Sequence, residues 1–207
     1  NTMSEKLSEK HLTFGESKKY LSEEHVRLLI DTFDKVYKDI CDFFNGGEIR
    51  PVEYVIDPDY DGVAYTTWRK VVLNPRWLEQ HPWDIDCMTH ELIHVAQNYK
   101  GVECPFWVCE GLADYGRAKF GIYNKEGGWA LPKYSDKQKY TDGYRVTAAF
   151  FLWIEENIDP TLPKDLNDTV KAGKYSDDYF KNKTGYTIDE LWQKYAEASK
   201  AKESAST

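Results

Sequence analysis

The chain has 207 residues, 41% of them apolar, with seven Trp, fifteen Tyr and nine Phe, enough for one sizeable core or one core with a small appendage. Its 27 Lys and Arg against 35 Asp and Glu leave a formal charge of −8, which argues against nucleic acid or an anionic membrane as the main partner, since both call for a basic face. No apolar run approaches the length of a membrane span. The sequence opens on Asn1 rather than Met, which fits a removed leader or a trimmed chain.

In chain order, the polar residues 1–9 predict a flexible terminus, and His11-Leu12-Thr13-Phe14 a short first strand. Ser22-Glu23-Glu24 opens a helix. Val26, Leu29, Ile30, Phe33, Val36, Tyr37, Ile40 and Phe44 follow at helical steps, and Asn45-Gly46-Gly47 stops it. His25, at the exposed start, reads as solvated, because a ligand needs partners on a shared face. Three β-rich runs come next, Val52–Ile56, Val63–Thr67 and Arg69–Leu73, closed by Asn74-Pro75. The acidic turn at Asp57, Asp59, Asp61 and Gly62 lacks the terminal bidentate Glu of a calcium loop and reads as a solvated turn. A strand edge here either accepts an extended peptide as one more strand or is an ordinary sheet edge.

Met88-Thr89-His90-Glu91-Leu92-Ile93-His94-Val95-Ala96-Gln97 then carries His-Glu-x-x-His. Positions i and i+4 share a helix face, so His90 and His94 can offer two imidazoles to one cation. Glu91, one step round, can reach a water there without being a ligand. That is the arrangement of a catalytic zinc with a carboxylate base. The flanks predict a helix over about 84–99, with Asp84 as N-cap, Ile85, Met88, Leu92, Val95 and Ala96 as its apolar face, and Gly101 as the stop.

Residues 107–120 predict a second helix, stopped by Gly121, and the short connection predicts antiparallel packing against the first. Glu110, amid Val108, Leu112 and Ala113, is an odd place for a solvated charge, and a buried carboxylate wants a partner. It is the candidate third ligand. Asp114, on the same face, can hydrogen-bond the far nitrogen of a ligating His. The reverse assignment, with Asp114 on the metal, is also physically possible.

These residues resemble a family. His90–Gln97, Glu110-Gly111-Leu112-Ala113-Asp114-Tyr115-Gly116-Arg117 and Asp142-Gly143-Tyr144-Arg145-Val146-Thr147-Ala148-Ala149-Phe150-Phe151-Leu152 are similar to three blocks of the plant basic secretory proteins and their bacterial and fungal relatives. That family is regarded as zinc peptidases with a thermolysin-like or aminopeptidase-like site. The resemblance runs over residues 10–198. It implies zinc on His90, His94 and Glu110, Glu91 as general base, and a secreted or cell-envelope location. The plant members are basic, whereas this chain is acidic.

The third block predicts a helix over 143–157. Amide hydrolysis passes through an oxyanion that needs a donor. Tyr144 is the first candidate and Tyr115 the second, against a Tyr that merely packs. The loop from Tyr123 to Tyr140 either lines a site or is plain surface. Weaker helices are expected over 166–172 and, capped by Thr187, over 188–196, with residues 199–207 flexible. Cys41, Cys87, Cys104 and Cys109 fit no zinc-finger spacing. They allow Cys104–Cys109 and Cys41–Cys87 disulfides or four buried thiols.

The expected architecture is α+β: a small mixed sheet followed by a helical half, a single domain over 10–198, with zinc between two antiparallel helices as in a thermolysin-like core. The expected function is a zinc metallopeptidase acting on peptides or proteins. The alternative is a non-catalytic protein of the same fold that binds peptides or glycans on Trp68, Trp77 and Trp129.

Overall fold

A computed structural model describes residues 5–206 of the protein. It is a mixed α+β chain with an early, small sheet and mostly helices thereafter. In order run α1 (Leu7–His11), β1 (Leu12–Thr13), α2 (Glu23–Phe44), β2 (Val52–Ile56), β3 (Ala64–Thr67), β4 (Lys70–Leu73) and α3 (Pro75–Gln80). Then come α4 (Cys87–Gln97), α5 (Phe106–Phe120), α6 (Tyr144–Asn157), α7 (Leu162–Lys171), α8 (Tyr179–Thr184) and α9 (Ile188–Ala205). The chain gathers into two compact units. One holds the described residues up to Asn98 with Gly116–Ala130, and the other holds Tyr99–Tyr115 with the described residues from Leu131 on.

In the first unit the strands lie in the order β1-β2-β4-β3, with β1, β2 and β4 parallel and β3 antiparallel to β4. Alternation along β2 sends Val52, Tyr54 and Ile56 into the core. There Phe33 of α2 meets Tyr54 edge-on at 6.4 Å and stacks on Tyr37 at 4.6 Å. The apolar stripe of α2 is buried from Val26 to Phe44, each large side chain contributing about 1.5–3 kcal/mol. The Ser22 hydroxyl accepts from the His25 N–H, a cap worth about 1 kcal/mol.

α4 is shorter than the predicted 84–99 helix. Asp84 is not its cap, because its carboxylate accepts from Trp77 Nε1 at 2.8 Å and pairs with Arg117. Asp86 takes the cap position instead, fully buried, and accepts from the Thr89 hydroxyl at 2.7 Å and the Tyr123 N–H at 2.6 Å. Asn98, left-handed at φ 45°, ends the helix ahead of Gly101. α3 was not foreseen. Asn74 caps it by accepting from the Arg76 N–H, and Pro75 starts it, but six residues are too few to show a period.

In the second unit α6 packs with α7 and α9. Phe150, Trp192 and Tyr195 cluster with ring centroids 5.0–5.5 Å apart. Gly111 explains how closely α5 approaches α6: a Cβ there would stand 2.4 Å from Thr147 Cγ2 and 2.8 Å from Thr147 Cβ. Thr147 is itself anchored, accepting from the Gly143 N–H and donating to the Tyr140 carbonyl. Gly111→Ala is therefore expected to cost about 1–3 kcal/mol through overpacking, read as a lower Tm by calorimetry.

The ends are more ordered than composition suggests. α1 begins at Leu7, within the stretch 1–9 expected to be loose, and α9 continues to Ala205. Residues 1–4 and 207 of those expectations lie outside the described residues. Each of the four cysteines is a thiol, with Cys41 and Cys87 buried, and burial pushes the Cys87 thiol well up. No described helix is long and apolar enough to cross a membrane.

Candidate metal centre

α4 sets its two imidazoles face to edge, ring planes at 82° and Nε2 atoms 3.2 Å apart. Two nitrogens bound at 2.0–2.1 Å to one tetrahedral ion would stand about 3.3 Å apart, so the pair has the spacing such an ion needs. The orientation is fixed from behind. Nδ1 of His94 lies 2.7 Å from Oε1 of Gln97. An amide oxygen only accepts, so Nδ1 carries the proton and Nε2 presents its lone pair, the tautomer that a metal ligand requires.

Glu91 is buried beside them, its Oε2 3.9 Å from His90 Nε2. The Thr66 hydroxyl on β3 lies 2.9 Å from Glu91 Oε1 and 3.1 Å from the Glu91 carbonyl. Donation to Oε1 aims the carboxylate. Burial first, and then the Glu91 charge, raise the Tyr60 phenol above its ordinary value. The sequence does not single out Thr66 or Gln97 as site residues. Only Gln97, three residues past His94, carried a local signal, the i,i+3 spacing of helix neighbours.

His90 and His94 in the first unit and Glu110 in the second are the one set of His, Cys, Asp and Glu side chains among the described residues that could together offer three ligand atoms, one each. This group could hold a metal ion. The acidic turn is not part of it, and Asp57 instead accepts from the Asp59 N–H at 2.9 Å. His25 places Nε2 3.0 Å from the Pro82 carbonyl.

Asp114, one turn past Glu110 on α5, is buried at 5% exposure. Tyr144 opens α6 at φ 49°, is 48% exposed, and meets Phe106 edge-on at 5.5 Å. A bulky residue held left-handed costs roughly 1–3 kcal/mol, and such residues cluster at functional sites. Tyr115 differs. It is buried and its hydroxyl donates to Glu155. Burial, reinforced by Glu155, holds that phenol well above its usual range.

Of the three tryptophans considered for binding, Trp77 stacks on His81 and donates to Asp84, while Trp129 lies under the Arg117 guanidinium at 4.3 Å. Both are built into the first unit. Trp68 is 49% exposed.

These features define an α+β chain with a candidate three-donor metal centre and a carboxylate held beside it. The chain belongs to the BSP family, described as "Peptidase of plants and bacteria", whose family model matches residues 7–195, the family that the three sequence blocks resemble. No curated protein and no solved structure matches it significantly.

Proposed function

We propose that the protein is a zinc-dependent peptidase, with residues 10–198 working as one catalytic domain and His90, His94 and Glu110 holding the metal. The observation that carries this reading is the facing Nε2 pair at 3.2 Å with the Glu91 carboxylate fixed beside it by Thr66. Membership of a family described as peptidases supports the same reading.

Zinc, when bound, would act as a Lewis acid on the scissile carbonyl and make water a better nucleophile near neutral pH. Glu91 takes the proton from the attacking water and later delivers it to the leaving amine. Asp114 supports a ligating imidazole from behind, as Gln97 does for His94. Tyr144 donates to the developing oxyanion. Tyr115 is the weaker candidate for that task, its hydroxyl being committed to Glu155. β3 has a strand neighbour on one side only, so an extended substrate can pair with its open edge and run past Thr66 and Glu91.

The test is cleavage of a mixed peptide library, read by mass spectrometry. New termini should appear, vanish with a chelator and return on adding zinc. Cleavage indifferent to chelation would contradict the proposal. Thr66 supplies a finer prediction: Thr66→Val should lower kcat by about 10–100-fold with KM little changed, the scale for groups that orient catalytic residues. Thr66→Ser, which keeps the hydroxyl, should recover most of it.

A further inference from the structure

We infer a second binding site on the first unit, for an acidic oligosaccharide, on the face of the sheet beside Trp68. It is independent of the peptidase reading. Thr66 turns toward Glu91 on α4, so by strand alternation Thr67 turns to the opposite face. The register sets Thr13, Glu53, Lys70 and Thr67 in one row across all four strands, and all four are exposed. With Lys10, Trp68 and Arg69 they line a concavity of about 470 Å³.

The charge of this concavity is opposite to that of the chain. Lys10, Arg69 and Lys70 face a single carboxylate, Glu53, in a protein of net charge −8. Arg69 and Lys70 form no ion pair among the described residues. Lys10 reaches only the exposed Glu5, at 3.7 Å, a contact worth little. A further cation backs the site: the Arg50 guanidinium lies 5.2 Å from the Trp68 ring centre and is anchored by donating to the Val95 carbonyl at 2.5 Å. Trp68 itself is held left-handed at φ 61°, a conformation a bulky side chain rarely takes.

An exposed indole among cations suits a ring that is apolar on its face and anionic at its edge. The C–H face of a pyranose stacks on the indole, and its carboxylates meet Lys and Arg. The Thr13 and Thr67 hydroxyls are placed to bond sugar hydroxyls. An acidic peptide fits less well, because β2 and β4 have strand neighbours on both sides and offer it no main-chain ladder.

Titration calorimetry of the full chain at low salt tests this with tetragalacturonate, its methyl ester and hexa-aspartate as probes. Tetragalacturonate should bind, and esterification, Trp68→Gly, or Arg69→Gln with Lys70→Gln should each weaken it by at least about tenfold, the equivalent of one lost contact. Peptide cleavage should be unchanged in both variants. Glycine suits the backbone at position 68, and the charge variant alters only exposed side chains, so it decides the matter alone if the first fails to fold. No binding at millimolar probe, affinity that both variants leave intact, or hexa-aspartate binding equally well would overturn the proposal.

Discussion

Glu91→Gln is expected to lower kcat/KM for peptide cleavage by roughly 10²–10⁴-fold, the contribution of a positioned general base. The substitution keeps the shape of the side chain and an oxygen that can accept from the Thr66 hydroxyl, now 2.9 Å from Oε1. The facing imidazoles of His90 and His94 do not depend on its charge. Metal content and Tm should therefore stay close to those of the unmodified chain while turnover collapses. A neutral amide cannot take the proton, so undiminished cleavage by this variant, measured on the same peptide, would exclude Glu91 as the base.

Asp84→Ala should be the most destabilising of the changes considered. The Asp84 and Arg117 side chains are only 13% and 6% exposed. A buried ion pair adds little over an apolar pair, but removing one partner strands the other charge, at about 3–5 kcal/mol. Arg117 would keep Asn124 and the Trp129 ring but lose its counter-charge, and Trp77 Nε1 would lose its acceptor. At about 2–4 °C per kcal/mol for a chain of this size, calorimetry should show a fall in Tm of roughly 6–20 °C. Asp84→Asn, which keeps an acceptor for Trp77, should fall between. A Tm within two or so degrees of the unmodified chain for the alanine variant would contradict this role.

Asp84 also shows where sequence reading stops. Its type and position before an apolar run made it a natural N-cap, yet its partner lies 33 residues away, and long-range pairing overrode the local signal. The helix that carries His90, Glu91 and His94 was legible because its period is local, and so was α2. Thr66 was not, since the contact that matters joins a strand to a helix 25 residues on, and a Thr in a strand looks ordinary. α3 and α8, six residues each, leave too few turns for periodicity. The far end of α9 reads as loose in the sequence because Lys200 to Ala205 lack an apolar face, although Ala, Lys and Glu are good helix formers. Glu110 stands out in the sequence by its setting among apolar neighbours and by the sixteen positions that part it from His94, whereas Tyr144 is one tyrosine among fifteen.

The most direct measurement is the zinc content of the chain after loading and exhaustive dialysis, by mass spectrometry of the metal, beside that of His90→Ala and His94→Ala. The expected result is about one zinc per unmodified chain and almost none in either variant, with folding retained by circular dichroism. An unmodified chain that retains no zinc, or a His94→Ala chain that retains a full equivalent, would contradict a metal centre built on these imidazoles.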